Sequence, residues 1–302
     1  MTGRVVVIGD ALIDEMRDEH GVREFVGGAA LNVAVGLRVL GVPATLIAMV
    51  GDDEAGDRIR TVLTDAGVEL IATPASLGSA RAISERGPSG EPRYTFNPSA
   101  QGRRIRYGAS ERAAIAAAPL VVISCVALDD REQTADLLAA LADAPPVLLD
   151  PNPRAGMMND RAEFVRGFAA VSSRSALVKV GDDDAALLFG IPLADLTARL
   201  RADGVPAVLA TAGAGGATVV AGGVDVREPV AVLPGPIIDT MGAGDATLAS
   251  VAASLLAAPN PDQVEWSHAL QRAMLVAAAT CRHAGALLRV PKDGPELDHI
   301  GT

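Results

Sequence analysis

The sequence predicts an α/β protein of three layers, with helices on both faces of a mostly parallel sheet and a small β-sheet inserted near the amino terminus. Three observations predict it. Between Leu120 and Thr211, apolar strand-like runs alternate with helical stretches, the pattern of a parallel sheet wrapped on both sides. Arg4 to Gly9 is a short Val/Ile-rich run, as expected of a strand buried on both faces. Residues 78–98 break the alternation and read as a hairpin of their own. We read residues 1–302 as one domain, with 11–27 and 76–108 forming the inserted sheet.

The first strand ends in Gly9-Asp10, where open α/β sheets bind ligands beyond their strand ends; Asp10 is a ligand-facing carboxylate or a turn residue. Residues 11–27 are polar, with a turn at His20-Gly21. Gly27-Gly28 then opens an apolar helix to Leu40, stopped by Gly41 and Pro43. Asn32 is a lone amide in its first turns, bonded to backbone or facing a cleft. Ala44 to Val50 is the next strand, and Gly51-Asp52-Asp53 leads into an amphipathic helix to Ala66, closed by Gly67. The hairpin follows, its strands flanking Gly87-Pro88-Ser89-Gly90.

Strands are then expected at 120–124, 147–150, 176–180 and 207–211, with helices at 131–142, 161–170 and between the last two strands. The apolar run Ala246 to Ala258 reads as a buried helix and Pro261 to His283 as another. Trp266 near the start of the latter is taken as a core or surface residue before a base-stacking one.

Bulk properties exclude several classes. With 302 residues and 49% hydrophobic content the chain can bury a large core, which argues against disorder. Aromatics are only 3%, so that core is aliphatic. A net charge of −11, with no basic run longer than Arg103-Arg104 followed by Arg106, argues against nucleic acid or an anionic membrane as partner. No apolar run of spanning length is free of charges and breakers. The start lacks a signal peptide's apolar region, and the expected location is cytoplasmic. Cys125 and Cys281 lack metal or redox spacing and are expected as buried free thiols. The four histidines fall in no legible motif.

The chemistry concentrates at residues 236–250. Ile237 and Ile238 approach Asp239-Thr240, a turn of Gly242, Ala243 and Gly244 follows, and Asp245 opens the apolar helix. Bare backbone N–H groups at a helix N-terminus make an anion site. A carboxylate beside an anion site repels the anion, so a simple phosphate binder has little use for Asp245. An enzyme that moves a phosphoryl group onto a hydroxyl uses both: amides for the developing charge, carboxylate for the hydroxyl proton. The competing reading is that Asp245 only caps the helix. Other phosphate signatures are absent. Neither Lys179 nor Lys292 follows a glycine as a P-loop lysine would, and Gly9-Asp10-Ala11 is no dinucleotide fingerprint.

The string Asp239-Thr240-Met241-Gly242-Ala243-Gly244-Asp245 resembles the carboxy-terminal motif of the ribokinase-like (PfkB) carbohydrate kinases, and Gly27-Gly28-Ala29-x-x-Asn32 with Gly51-Asp52-Asp53-x-x-Gly56 resembles their amino-terminal motif. The resemblance covers nearly the whole chain and implies a Rossmann-like, ribokinase-like fold whose small sheet is a lid over the sugar. It implies that Asp245 is the catalytic base and that the amides of Gly242, Ala243 and Gly244 form an anion hole. Asp10, Gly27, Gly28 and Asn32 would hold the sugar. Asp150-Pro151-Asn152-Pro153-Arg154 resembles the Asp-Pro-Asn-x-Arg of fructokinase-like and ketodeoxygluconate-kinase-like members, which adds Arg154 to the sugar site. Thr211, Gly213 and Gly216 resemble the family's turn at the nucleotide, and Gly285-Ala286 the region bordering adenine. ATP with Mg2+ is implied, the metal reached by Asp184 through water, with K+ near Asp239 in some members. A homodimer joined through the lid is implied too.

Two departures stand out: Thr247 replaces a frequent aromatic, and Gly181 replaces the usual Asn or Ser three residues before an acidic group. The implied activity is phosphorylation of a sugar hydroxyl, on fructose or a related keto-sugar or sugar acid. A nucleoside kinase and a sugar-binding regulator without turnover are the alternatives. A nicotinamide oxidoreductase is disfavoured by the missing fingerprint.

Overall fold

The structure is a computed structural model, and it describes residues 3–18, 21–86 and 92–291. His20, the turn at 87–90 and Lys292 lie outside the described residues. In chain order the elements begin with β1 (Val5–Gly9), β2 (Leu12–Asp18), β3 (Gly21–Gly27), α1 (Ala29–Val39), β4 (Ala44–Gly51), α2 (Glu54–Asp65) and β5 (Glu69–Ala75). There follow β6 (Ala80–Arg86), β7 (Pro92–Phe96), α3 (Pro98–Gln101), α4 (Ala109–Ala117), β8 (Val121–Ser124), α5 (Arg131–Ala140) and β9 (Val147–Asp150). The rest is α6 (Arg161–Ser172), β10 (Leu177–Gly181), α7 (Asp182–Phe189), α8 (Leu193–Ala202), β11 (Ala207–Thr211), β12 (Ala217–Ala221), β13 (Val224–Glu228), α9 (Ala243–Ala257) and α10 (Gln263–Thr280).

Nine strands form the main sheet in the order β13-β12-β11-β10-β9-β8-β1-β4-β5. Pairing is parallel from β5 to β11, and β12 and β13 close one edge as antiparallel strands. The alternation of side chains along a strand sends Val5 and Val7 into one core and Val6 and Ile8 into the other. That double burial is why β1 reads as an unbroken apolar run. The first core packs α1, α9 and α10, with Trp266 buried inside it; the second packs α4, α5, α6 and α8.

The second sheet has the order β3-β2-β6-β7, with β2 and β6 parallel and the other pairs antiparallel. Its strands come from 12–27 and 80–96, as the hairpin pattern predicts. Within the expected segment 76–108, Ile105 and Tyr107 pack instead into the second core of the main sheet. Strand β5 is absent from the sequence reading. It is an edge strand whose residues alternate between half-buried and exposed, so its pattern is weak.

The junction between the sheets is built by Asp53, which does more than cap α2. One carboxylate oxygen accepts from the Gly56 N–H at 2.8 Å and from the Ser79 hydroxyl at 2.6 Å, and the other accepts from the Ser79 N–H at 2.7 Å. Asn97, at the chain's exit from the small sheet, donates to the Ser79 carbonyl and accepts from the Arg81 N–H. Charge-assisted bonds of this kind are the stronger ones. They fix the point where the chain crosses from one sheet to the other.

Candidate active site

Helices α1 and α9 run side by side with their N-termini at the same end. A Cβ on Gly36 would come within 3.0 Å of the Ala249 Cβ, so glycine lets the two helices approach closely. One turn earlier on each helix stand Asn32 and Asp245, and the Asn32 amide donates to Asp245 Oδ2 at 2.8 Å. The two residues are 213 positions apart in sequence and buried. Asp245 is therefore no helix cap. The cap position is Gly242, at φ +76°, and the carboxylate makes no capping bond. A Cβ on Gly242 would lie 2.0 Å from the Ala286 carbonyl, so neither the conformation nor the space admits another residue. Asp239 ties the same corner together, accepting from the Met241 and Gly285 N–H groups.

The N–H groups of 243–245 lie in the first turn of α9, where helical geometry leaves donors without an intrahelical partner. Beneath the turn lies a buried ion pair. Lys179 Nζ donates to Asp150 Oδ2 at 2.6 Å, and a Cβ on Gly244 would sit 3.3 Å from that nitrogen. Burial works against the Lys179 charge, but Asp150, Asp184 and Asp245 outweigh it and hold its pKa above the ordinary range. Asp150 Oδ1, fully buried, has no partner among the described residues.

A cleft of about 620 Å³ opens in front of these groups. Asp10, Asp14, Gly28, Asn32, Arg154, Gly242 and Asp245 line it, with Phe96 and the half-exposed Tyr94 of the small sheet across from them. Asp10 sits at the end of β1 and accepts from the Ala30 N–H at the start of α1. Gly28 has φ +108°, and a Cβ there would press on the Asp10 carbonyl at 2.8 Å. Gly27 supports the site from behind, because a Cβ on it would meet Asp14 Oδ2 at 2.2 Å. Arg154 follows β9, open to solvent on one side and facing Asp245, Asp10 and Asp184.

Burial dominates the electrostatics. It pushes the Asp245 carboxyl up to about 6, against the Asn32 hydrogen bond. It pushes Asp14 up to about 7, with Asp10 adding repulsion. Asp184 rises to about 6, again first through burial and then through Asp150. A raised carboxylate titrates in the folded protein above its unfolded value, so stability falls as pH rises between about 4 and 7. Asp14→Asn is accordingly expected to raise stability at pH 8 by on the order of 2 kcal/mol and to leave it unchanged at pH 4. Thermal melts of both proteins at the two pH values check this.

Most sequence-predicted residues converge here, and some do not. Thr211 is the register partner of Gly181 on the adjacent strand, and neither residue lines the cleft. Gly213 and Gly216 belong to the tight turn between β11 and β12, and neither lines the cleft. A Cβ on Gly216 would strike the Glu228 carbonyl at 2.2 Å, so the turn itself requires that glycine. Asp184 accepts from the Gly181 N–H at 2.7 Å at the start of α7. Ile237 and Ile238 lie in an exposed loop. Cys125 is a buried free thiol, while Cys281 is only partly buried.

Two residues escaped the sequence reading. Asp14 lies in a polar stretch, Asp-Glu-Met-Arg-Asp, where nothing marks one carboxylate over another. Lys179 did leave a signal, as the lone charge inside the strand Leu-Val-Lys-Val. Among the described residues no group of three or more His, Cys, Asp or Glu could hold a metal ion, and no helix is long and apolar enough to cross a membrane.

The model of the pfkB family carbohydrate kinases matches residues 2–293. The chain belongs to this family. It is an ATP-dependent carbohydrate kinase in class, and its fold is the family's ribokinase-like α/β fold with a small four-stranded lid. A fructokinase of Klebsiella pneumoniae is 28% identical over 275 residues, covering 87% of this chain and 88% of that protein. The crystal structure of aminoimidazole riboside kinase from Salmonella enterica, complexed with aminoimidazole riboside and an ATP analogue, aligns with a TM-score of 0.76 at 26% identity, over 94% of this chain and 95% of that one. A fructokinase from Xylella fastidiosa with bound ATP aligns with a TM-score of 0.80 at 19% identity, over 95% and 94% of the two chains, a likeness of fold alone.

Proposed function

We propose that this kinase transfers the γ-phosphoryl group of ATP to a hydroxyl of a ketose-type sugar, with Asp245 as the base. The observation that carries the reading is the buried Asp245 carboxylate, held by Asn32 in the first turn of α9 beside the Gly242-Ala243-Gly244 turn. Asp245 takes the hydroxyl proton as the acceptor oxygen bonds to phosphorus and the bond to the departing ADP oxygen breaks. The amides of Gly242, Ala243 and Gly244 stabilise charge on the transferring group. Asp10, Gly28, Asn32 and Arg154 orient the acceptor, Asp14 joins them, and Gly27 holds Asp14 in place. Thr211 and the turn carrying Gly213 and Gly216 flank the nucleotide side.

The donor set fits a magnesium ion that arrives with the nucleotide rather than one held by a protein cage. Asp184 would reach it through water, and the metal would neutralise phosphate charge. Asp239, whose carboxylate accepts from the Met241 and Gly285 N–H groups, would be the residue near which a potassium ion supports the turn. We also propose that the protein works as a homodimer joined through its lid.

The ketose reading is supported by the likeness to fructokinase and by the Asp150-to-Arg154 motif. The likeness to aminoimidazole riboside kinase supports a riboside acceptor as second reading. ADP release with Mg-ATP over fructose, ribose and ribosides, with and without potassium, tests both. One strong acceptor is the expected result, and silence with ATP bound would overturn the transfer reading. Because Asp245 must be ionised to accept a proton, kcat is expected to rise with pH along a limb near pH 6, where its carboxyl titrates. A flat profile from pH 5 to 8 with chemistry rate-limiting would remove Asp245 as the base.

A further inference from the structure

In the sequence Arg103 and Arg104 stand as a basic pair, and the fold separates them. Arg104 is exposed and pairs with Asp130 and Glu132. Arg103 is 9% exposed, lies outside the lining of the large cleft and forms no ion pair among the described residues. Burying a guanidinium with no carboxylate against it is costly unless its donors find other partners. Here they go to four carbonyls. Nε donates to Cys125 at 3.2 Å, Nη2 to Val126 at 3.3 Å, and Nη1 to Met157 at 3.0 Å and Ala100 at 3.3 Å. Those carbonyls belong to three segments. Ala100 is in α3, at the chain's exit from the lid; Cys125 and Val126 follow β8; Met157 ends the turn Ala155–Met157 after β9.

The two strand-end loops carry the only non-glycine residues at positive φ among the described residues, Cys125 at +55° and Asn152 at +39°. Left-handed backbone at such residues persists only where the surroundings hold it. Arg103 grips the Cys125 carbonyl itself. Cys125 and Met157 line the cleft, and the Met157 N–H donates to the Arg154 carbonyl at 2.9 Å. Arg103 also stands behind Asp10. The two residues, with Cys125 and Met157, line one small void of about 20 Å³. Burial pushes the Asp10 carboxyl up, and the Arg103 charge works against that push. The lid meets the same seam: a Cβ on Gly156 would come within 2.7 Å of the Phe96 ring, and the Gln101 amide donates to the Gly156 carbonyl.

We infer that Arg103 is a positioning residue for phosphotransfer, whose guanidinium ties the lid's exit to the two strand-end loops and so sets the wall of Cys125, Met157 and Arg154 against Asp10. This rests on the phosphotransfer reading and adds to it a residue that touches no substrate. Lysine is no substitute, because a single ammonium nitrogen cannot span carbonyls that a planar fork reaches from three nitrogens. The hydrogen bonds of Arg103 reach neither the Gly242-to-Asp245 turn nor Thr211, so its loss loosens the acceptor side and spares the nucleotide side.

The test compares Arg103→Met and Arg103→Lys with the parent by ADP release over fructose, ribose and ribosides, by nucleotide calorimetry and by amide hydrogen exchange. In both variants the acceptor KM is expected to rise about tenfold or more while the nucleotide Kd stays within about threefold. Exchange is expected to quicken at Cys125, Leu128 and Met157, whose N–H groups are hydrogen-bonded in the loops that Arg103 holds, and to stay unchanged in α9. A purely structural role would reduce the fraction of folded enzyme, cutting kcat per mole of protein with the acceptor KM unmoved, and would overturn the inference. Arg103→Lys with the parent's KM would overturn it as well, since charge alone would then suffice. If Arg103→Met does not fold, Arg103→Lys decides. Silence of the parent toward every acceptor overturns the phosphotransfer reading instead, and the exchange pattern then decides whether Arg103 holds the wall.

Discussion

Asp245→Asn is expected to keep the fold and bind ATP while losing kcat by on the order of a thousandfold or more. The substitution is nearly isosteric, and the new amide oxygen can still accept from Asn32, so the contact between α1 and α9 survives. What disappears is the carboxylate that stands in the first turn of α9, beside the Gly242-Ala243-Gly244 turn. The variant should also be no less stable than the parent at pH 8, since the carboxylate it removes resists ionisation in its buried site. Steady-state ADP release, nucleotide calorimetry and a thermal melt separate these outcomes. Turnover within tenfold of the parent would take Asp245 out of the chemistry. Lost ATP binding would mean that the turn itself had collapsed.

Lys179→Met is expected to be the most destabilising single change at the site. Asp150 is 0% exposed, and its partner is the Lys179 ammonium at 2.6 Å. Removing the cation strands a carboxylate in the sheet, a change that costs about 3–5 kcal/mol in buried pairs. The double variant Lys179→Met with Asp150→Asn should recover most of that loss, because no uncompensated charge remains. Urea melts of the three proteins test this. If the single variant does not fold, the double variant still reports on function. Lys179 lowers the Asp245 pKa, so its loss alone should move the kcat limb to higher pH; Asp150 raises that pKa more strongly, so the double variant should bring the limb back to the parent's position or below it. An unmoved limb in the single variant would make Lys179 purely structural.

Three kinds of information came from different places. The fold class was legible because a buried parallel sheet imposes a local pattern. Each central strand must be apolar on both faces, and each crossover helix leaves its own period, so composition along the chain reports the layers. The turn at 242–244 was legible for a similar reason: a left-handed residue under a neighbouring carbonyl permits only glycine, as Gly242 demonstrates. The motifs carrying Asp10, Asn32, Arg154 and Asp245 could be named one by one from their spacing and family resemblance. Their meeting could not.

Tertiary structure decided the relations among these groups. Asp245 could have been a cap by every local rule. Only the close approach of α1 to α9, permitted at Gly36 and Ala249, hands it to Asn32. Asp14 is set against Gly27 by the β2–β3 hairpin, but it reaches the cleft only when the small sheet packs across from the strand ends of the main one. Lys179 and Asp150 lie 29 residues apart on neighbouring strands, and burial turns two ordinary charges into one indispensable pair. Local sequence settles the conformation of each segment, because those forces act within a few residues. Desolvation and charge pairing act between segments, so the titration of the site and the chemistry it can perform appear only once the chain has closed around it.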